Sequence, residues 1–550
     1  MRKRLGSFAC MALLVGCGVE GSVDRTPSQA GGQQALTAQQ LHGQSVWFNS
    51  TFGGEKFFTL ILPGPPFNLP IGLGNALTSP RDTRFDNWGL INDPGCVPGN
   101  ALTGGLDICA DPNSAGVVGV RKFPNPNYTP TNGQPPVLIG VACAGCHAGL
   151  DPQNPPANPN HPSWANIHPT VGNQFIQIGK IFGANLSTHD PRKQVFNSWA
   201  PGTVDTTAIE NDGINNPGII TQFFNFPNRP FFNLHYNGAP ISVHRAGQGG
   251  EDDAGCALAA TRVYFNIGMC AAECMVPHLA NGPGGTQTPI DLNACAAACP
   301  DFNAEQAAVN DMCAFIQTTT APKLENAPQG NSFIDLGAID HGDEVFNANC
   351  ASCHSNGQRA QNQVWSDDLL HPVDPNGGVV GTNSCRSRTT NWQTGHIWAA
   401  FSSDEQRNHT FGQPGQIRDV PLLAVWATAP FLHNNRLGIP SSDSTVAGRV
   451  NAFEEAMSEM LNPTTRTPFV AVTNDVVCFT PDCSVNAPPG TPVAFFADVA
   501  PDHFTSLCPG GVVNPQTGQG FDAVENEGHY FGATLSAADK YALIEFLKTL

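Results

Sequence analysis

The sequence predicts a mainly α-helical protein with extensive irregular loops, organised as two domains with insertions. The pentapeptide C-x-x-C-H occurs twice, in "VACAGCHAGL" at 141–150 and in "FNANCASCHSN" at 346–356, whereas chance predicts about 0.02 matches for this composition. Glycine contributes 57 residues and proline 47, and only 13% of residues are charged, which indicates long loops between elements. Helical patterns precede the second motif and close the chain.

The first residues predict an export signal. Three cations precede a short apolar run in "MRKRLGSFACMALLVGCGVEG", and this run is too short to cross a bilayer. Residues 1–16 are therefore expected to be a signal peptide. "LVGC" resembles a bacterial lipoprotein box, so Cys17 is expected to carry lipid and residues 17–40 to form a polar tether; ordinary cleavage without lipid is the alternative. We expect an outer-membrane lipoprotein, periplasmic or at the cell surface, or a secreted protein.

The charge balance excludes one class of partner. The formal net charge is -19, and no basic run follows the signal region. Phosphate backbones would be repelled, so we expect no nucleic-acid partner.

Cysteine usage agrees with export. Of 18 cysteines, Cys10 and Cys17 lie in the signal region and four belong to the motifs, which leaves 12, an even number as a disulfide framework requires. Two C-x3-C pairs flank the turn "NGPGGTQTP", and each pair shares a helical face. We expect the bridges Cys270–Cys299, Cys274–Cys295, Cys96–Cys109 and Cys478–Cys483; a zinc site is the alternative for the C-x3-C pairs. Cys256, Cys313, Cys385 and Cys508 remain without assigned partners.

Two domains follow from the positions of the motifs. A Thr-, Pro- and Gly-rich stretch at 318–335 separates an N-terminal domain, residues 41–330 with a disulfide-stapled insertion, from a C-terminal domain, residues 331–550. In the second domain, Gly342, Phe346 and Cys350 form one helical stripe that leads into the motif. The last helix has Ser536 as its N-cap, with an apolar face of Tyr541, Ile544, Leu547 and Leu543. This arrangement resembles the cytochrome c fold, and the first domain is expected to be a second haem domain of that kind.

The motif chemistry points to covalently bound haem. Two thiols at this spacing can meet the two vinyl groups on one edge of a porphyrin, and the adjacent histidine can bind the iron. A thioredoxin-type redox pair and half a zinc site are the alternatives, but neither explains two copies each followed by histidine. Two haem c groups are therefore expected, on Cys143, Cys146, Cys350 and Cys353, with His147 and His354 as axial ligands.

The second ligand of each iron decides the function, because an open position permits O2 or peroxide chemistry and a second protein ligand makes an electron carrier. His529, in the loop "ENEGHYFG" before the final helix, is the expected second ligand of the C-terminal haem; a surface-loop histidine is the alternative. For the N-terminal haem, His161 and His168 are candidate distal ligands, or ordinary loop histidines. The aromatic run "GIITQFFNFPNRPFFNLHYNG" either lines a haem or apolar substrate or belongs to the core.

One segment carries a family resemblance. The segment is "IRDVPLLAVWATAPFLHNNRLG" at 417–438. It resembles a characteristic segment of the bacterial di-haem cytochrome c peroxidase superfamily. The likeness is carried by Thr428 to Asn434, and Asn435 stands where that family usually has glycine. Three features make the chain most similar to the rubber oxygenase branch of that superfamily. They are the wide separation of the two C-x-x-C-H motifs, the segment "RVYFNIG" and the terminal segment "GHYFGATLSAADKYALIEFLKTL".

The resemblance implies a division of labour. The haem on His147 is the catalytic one and binds O2 or peroxide, while the haem ligated by His354 and His529 relays electrons. His433 is implied to orient groups near the second haem, or else to cap a turn. Trp199 and Trp426 are candidates for the path between the haems. The implied partners are an electron donor or acceptor protein or small redox molecule, with an apolar polymer, O2 or hydrogen peroxide as reactant; a non-catalytic cell-envelope electron carrier is the alternative.

Overall fold

The computed structural model describes residues 35–65, 67–204, 217–224, 268–270, 274, 291–299, 302–354, 364–366, 380–382, 416–418, 422–467, 469–493 and 526–550. These residues form helices joined by irregular loops with little sheet, in agreement with the mainly α, loop-rich prediction. The predicted signal peptide and Cys17 lie outside the described residues. The predicted tether, residues 17–40, overlaps the first helix by three residues. Thr37 is the N-cap of that helix and accepts a hydrogen bond from the Gln40 main-chain NH.

Among the residues described, the helices range from the 3 residues of Gly54–Lys56 to the 16 residues of Val446–Leu461. Those of the N-terminal half are α1 (Ala38–Asn49), α2 (Gly54–Lys56), α3 (Leu73–Leu77), α4 (Arg81–Trp88), α5 (Ala144–His147), α6 (Ile178–Gly183), α7 (Pro191–Asn197), α8 (Leu292–Ala298) and α9 (Phe302–Ile316). Those of the C-terminal half are α10 (Ile339–Asn349), α11 (Ala351–His354), α12 (Val446–Leu461) and α13 (Ala537–Leu547).

The strands form antiparallel pairs that clasp loops. They are β1 (Cys96–Val97) with β2 (Ile108–Cys109), β3 (Val120–Pro124) with β4 (Val137–Val141), β5 (Gly149–Leu150) with β6 (Ile167–His168), β7 (Thr203–Val204) with β8 (Gly218–Ile219), β9 (Val364–Ser366) with β10 (Gln416–Arg418), and β11 (Val477–Cys478) with β12 (Asn486–Ala487). Such short pairs do not stabilise a sheet on their own, so the helices and loops supply the cores.

Two large hydrophobic cores and a small third cluster of Val171, Phe224 and Ala424 lie within the described residues. The first is built from side chains between Val46 and Ile316, and the second from side chains between Leu324 and Leu547. The second core therefore begins inside the stretch 318–335, in which the sequence places a domain boundary. One segment departs from the predicted domains: Ala471 and Val493, in the loop-rich part of the C-terminal half, pack into the first core.

In each half, the first described helix packs against the last one. Helix α1 packs on α9, and α10 packs on α13. In both pairs a glycine lies at the crossing: a Cβ on Gly43 would lie 1.8 Å from the carbonyl oxygen of Asp311, and one on Gly342 would lie 2.1 Å from that of Ala542. Only glycine allows backbones to approach this closely.

The sequences at the two crossings correspond. "HGQSVWF" at 42–48 aligns with "HGDEVFN" at 341–347. His42 Nδ1 lies 2.7 Å from Asp311 on the closing helix, and His341 Nε2 lies 2.8 Å from Asp539. The two halves therefore share an internal repeat in sequence and in contact, and the sequence reasoning above missed it.

The closing helix begins where predicted, and Leu543 and Leu547 of its predicted apolar face are buried. Ser536 caps α13 by accepting from the Asp539 main chain. Phe546 lies 5.3 Å, centre to centre, from Phe346, and both are buried. Tyr541, predicted to be apolar core, is half-exposed because its hydroxyl donates to Asp335.

Three of the expected disulfides are present: Cys96–Cys109, Cys270–Cys299 and Cys478–Cys483. The fourth pair, Cys274 and Cys295, is buried and joined through a side-chain hydrogen bond instead of a disulfide. Cys313 is disulfide-bonded, and Cys256, Cys385 and Cys508 lie outside the described residues.

The glycine at each crossing gives a first prediction. Gly342→Ala and Gly43→Ala should each lower the free energy of unfolding by about 1–3 kcal/mol, because the added methyl groups overlap main-chain carbonyls. Gly74→Ala in α3 is the matched control: nothing lies within 4 Å of its Cβ position, so stability should stay level or rise by up to about 1 kcal/mol. Urea denaturation of the three variants checks this, and equal midpoints would contradict the crossing.

Candidate functional site

The first C-x-x-C-H motif forms a single helical turn after a strand. Strand β4 leads into Cys143, and the His147 main-chain NH donates to the Cys143 carbonyl at 3.0 Å. Gly119 has φ of +71°, and a Cβ there would lie 2.1 Å from the Gly145 nitrogen. The β3–β4 hairpin thus packs directly against the backbone of the motif.

His147 is held in one tautomer. Its Nδ1 lies 2.8 Å from the Thr221 carbonyl oxygen, and because a carbonyl only accepts, Nδ1 carries the proton and the Nε2 lone pair remains available. Burial lowers the pKa of His147 to about 4, so the ring is neutral at pH 7. A metal-ligating histidine is usually a neutral imidazole that binds the metal through one ring nitrogen and donates the N–H of the other to a carbonyl or carboxylate.

Two aromatic side chains lie beside His147. The ring centre of Phe223 lies 4.6 Å from that of His147, and the centre of Trp47 lies 5.9 Å away. Trp47 is buried and its Nε1 donates to the Pro169 carbonyl at 2.9 Å. Sequence reasoning missed Trp47; the repeat of "HGQSVWF" and "HGDEVFN" is the signal that finds it. Phe223 belongs to the aromatic run noted in the sequence.

The thiols of the first motif are protonated at neutral pH. Burial raises the pKa of Cys143 to about 12 and that of Cys146 to about 11. Redox-active C-x-x-C pairs instead have lowered pKa values, so this environment disfavours the thioredoxin-type alternative. The Cys143 Sγ lies 4.0 Å from the Met312 Sδ on α9. Both thiols and His147 keep partly accessible surfaces, as a ligand site requires.

The second motif continues from a helix that packs on the end of the chain. Helix α10 ends at Asn349, and the Cys350 NH donates to the Phe346 carbonyl at 2.8 Å. One more turn brings His354 into position, its NH donating to the Cys350 carbonyl at 2.9 Å. Burial and the neighbouring Cys353 raise the pKa of Cys350 to about 11.

His354 and His529 face each other although 175 positions separate them (529 minus 354). Their ring centres lie 6.2 Å apart with 44° between the ring planes. A metal ion bound at about 2 Å from one nitrogen of each ring would put the ring centres about 6 Å apart. The two rings therefore have the spacing of a pair of axial ligands.

The surroundings of His529 also fit a metal ligand. Burial, then the charges of His354 and Arg466, lower the pKa of His529 to about 3, so the ring is neutral. Its Nδ1 is buried and hydrogen-bonds to no group among the residues described. A buried ring nitrogen without a partner is costly, and either a metal ion or a group outside the described residues would satisfy it.

The other predicted histidines lie elsewhere. His161 is half-exposed and its Nε2 lies 3.1 Å from Asp82. His168 is buried, and both its ring nitrogens have main-chain partners, the Thr320 carbonyl at 3.2 Å and the Thr170 NH at 3.2 Å. These contacts explain both as structural histidines.

The structure also places His433 and the two tryptophans that the sequence singled out. The Ile219 NH of β8 donates to the His433 carbonyl at 2.8 Å, two positions before Thr221, so the backbone of His433 contacts the segment that supports His147. The place near the second haem that the family resemblance implies for His433 stays a prediction. Trp199 is buried in the first core, and Trp426 is buried in the second with its Nε1 donating to the Pro322 carbonyl at 2.9 Å.

One buried cation joins the two halves. Arg449 on α12 donates to the Leu150 carbonyl at 3.0 Å, three residues after His147, and to the Ala427 carbonyl at 2.8 Å, next to Trp426. Burial lowers the pKa of Arg449 to about 10, and the nearby charge of Asp151 opposes this shift. Arg449 and Asp151 are both buried, and the Asp151 charge favours the protonated form of the Arg449 guanidinium.

No model of a known protein family matches the chain, and no curated protein is significantly similar to it. In the part of the chain that the structure describes, no helix has the length and apolar character needed to cross a membrane. Nor do three or more His, Cys, Asp or Glu side chains within those described ranges form a group that could hold a metal ion.

The junction gives a second prediction. Arg449→Met should lower the free energy of unfolding by about 1–3 kcal/mol, because the buried Leu150 and Ala427 carbonyls lose their donor and Asp151 loses a nearby opposite charge. Adding Asp151→Asn should recover part of that loss. Arg192→Met is the control, since Arg192 forms a half-buried pair with Asp190 worth about 0–1 kcal/mol. Urea denaturation measures the three variants beside the unaltered protein, and an Arg449→Met variant no less stable than the control would contradict the role of Arg449 at the junction.

Proposed function

We propose that the chain is an exported di-haem c-type cytochrome, with one haem attached through Cys143 and Cys146 and the other through Cys350 and Cys353. The N-terminal haem catalyses an oxidation and the C-terminal haem relays electrons to or from it. The observation that carries the proposal is the unequal surroundings of the two motif histidines. His354 faces a second imidazole, and His147 lies among aromatic side chains.

The fit of the chain to haem rests on the donor set. His147 presents Nε2 as a neutral donor because Nδ1 is engaged by Thr221, and the His354–His529 spacing matches that of two axial ligands. The helix crossings at Gly43 and Gly342 support two cytochrome c-like domains, since each joins the opening and closing helix of one half. Bound haem would supply an iron centre able to exchange electrons and, with an open position, to take O2 or peroxide.

The residues around His147 favour catalysis over electron transfer alone. Thr221 fixes the imidazole and increases its basicity by accepting the Nδ1 proton in a hydrogen bond. Trp47 and Phe223 present apolar surface that excludes water from the neighbourhood of the ring. The predicted distal candidates, His161 and His168, are engaged by Asp82 and by main-chain groups, so neither blocks the position opposite His147 in this arrangement.

Within the di-haem cytochrome c peroxidase superfamily, this arrangement favours an oxygenase like those of the rubber oxygenase branch. Peroxidase chemistry uses an acid–base side chain to help cleave the O–O bond. His168, a buried histidine of the same half, has both nitrogens occupied. O2 and an apolar polymer are therefore the proposed reactants, with hydrogen peroxide as the second candidate and a redox protein or small molecule as electron partner. The proposed location is outside the cytoplasm, with a lipid anchor on Cys17.

A third prediction tests the ligand of the second haem. In haem-loaded protein, His529→Ala should convert one of two haems from low-spin to high-spin, because His354 then remains as its only protein ligand. Electron paramagnetic resonance and optical spectra measure the conversion. His341→Ala, which removes an exposed histidine of the same half, should leave both signals unchanged. If His529→Ala gives the unaltered spectrum, His529 is not the ligand.

A fourth prediction separates an enzyme from a carrier. One haem, and only one, should bind carbon monoxide after reduction, and His147→Ala should abolish that binding while the His354–His529 haem keeps its spectrum. Incubation with polyisoprene under O2 should then yield cleaved products, whereas turnover with hydrogen peroxide alone would indicate a peroxidase. Two haems that bind neither carbon monoxide nor cyanide in any redox state would make the chain an electron carrier.

A further inference from the structure

Arg466 joins the end of a helix to the loop that carries His529. Its guanidinium donates to five main-chain carbonyls: Glu459 at 2.9 Å, Met460 at 3.0 Å, Asn526 at 3.1 Å, Gly528 at 2.7 Å and His529 at 3.4 Å. The first two belong to the last turn of α12, where carbonyls have no partners within the helix. One side chain thus satisfies a helix terminus and holds the backbone of the His529 loop.

The loop needs such support because its backbone is strained. His529 has φ of +51° and Gly528 has φ of +95°. A residue with a side chain adopts positive φ only at a cost, and it persists only where surrounding contacts fix it. On one side, the His529 NH donates to the Val380 carbonyl at 2.7 Å; on the other, Arg466 binds the carbonyls.

Further contacts tie the same two segments together. The Asn526 side chain donates to the Thr467 carbonyl at 2.8 Å and accepts from the Phe469 NH at 3.3 Å. The guanidinium carbon of Arg466 lies 5.4 Å from the ring centre of Tyr530, whose hydroxyl donates to Glu527. Arg466 therefore lies at the centre of a network that spans residues 526–530.

The position of Arg466 also brings a positive charge beside His529. The guanidinium donates to the His529 carbonyl at 3.4 Å. Burial lowers the pKa of Arg466 itself, opposed by Tyr530, Glu527 and Glu459. A partly desolvated cation interacts more strongly with nearby charge than an exposed one.

We propose that Arg466 is a positioning residue, which holds His529 opposite His354 through the loop carbonyls and whose charge raises the reduction potential of the haem bound there. The inference rests on the proposed function, in which His529 ligates the second haem. A nearby cation disfavours the more positive oxidised state, so the reduced state gains relative stability.

Two variants separate geometry from charge in the haem-loaded full-length protein. Arg466→Gln removes the positive charge and most of the contacts to the carbonyls. Arg466→Lys keeps the positive charge but loses the planar guanidinium, which donates to several carbonyls at once. Both should weaken His529 binding to iron by roughly 10–100-fold, the usual effect of losing a supporting contact, measured as the cyanide concentration that displaces it. The reduction potential should fall in the Gln variant and stay near the unaltered value in the Lys variant.

A second background shows whether Arg466 acts through His529. In His529→Gly protein, added imidazole should bind the second haem in place of His529 and restore its low-spin spectrum. This imidazole is not attached to the loop that Arg466 holds. Adding Arg466→Gln there should leave the affinity for imidazole unchanged, because the backbone that Arg466 holds no longer carries the ligand. An equal loss of affinity in both backgrounds would overturn the positioning role and indicate a general disturbance of the site.

Arg449→Gln is the matched control, since Arg449 lies on α12, the helix whose last turn Arg466 binds, and also donates to main-chain carbonyls, but to carbonyls outside the His529 loop. It should reduce stability and leave the second haem low-spin. If His529→Ala converts the second haem to high-spin but neither Arg466 variant changes cyanide displacement, the inference fails and the proposed function stands. If His529→Ala has no effect, the ligand assignment fails, and the inference with it.

Discussion

The close crossing of an opening helix on a closing helix is the contact on which both halves of the molecule depend. A glycine on each opening helix, Gly43 or Gly342, lets the backbones meet, and an aromatic residue four positions later fills the core. In the second half the crossing lies 8 residues before the motif (350 minus 342), whereas in the first it lies 100 residues before (143 minus 43). The intervening loops and strands of the first half return to α1, so that Trp47 still lies beside His147.

From this common frame the two sites diverge. The second half presents a strained loop that brings His529 opposite His354 and that Arg466 secures. The first half surrounds His147 with Trp47 and Phe223 and fixes its tautomer through Thr221. Arg449 joins the halves by donating to the Leu150 carbonyl, three residues after His147, and to the Ala427 carbonyl. This asymmetry is the observation behind the proposed division of labour, in which one haem would relay electrons and the other would react.

Local patterns in the sequence predicted much of this, and distant contacts could not be predicted. The motifs, the Ser536 cap and three disulfides follow from residue type and spacing. The repeat around Gly43 was missed because its distance from the motif differs so widely between the halves. Arg466 leaves no pattern, since it binds main-chain carbonyls that every residue has. The inward face of α13 was wrong in part because Tyr541 hydrogen-bonds to Asp335 and the buried Glu545 pairs with Lys548, and both contacts depend on the folded chain.

Covalent attachment of haem to both motifs is the central claim, and intact mass spectrometry under denaturing conditions tests it most directly. The protein would be expressed in a host with the c-type haem maturation machinery, beside a Cys143→Ala/Cys146→Ala variant. The account predicts a mass increased by two haem groups for the unaltered chain and by one for the variant, since thioether bonds survive unfolding. A chain of unmodified mass, or one whose cofactor is released on denaturation, would contradict it.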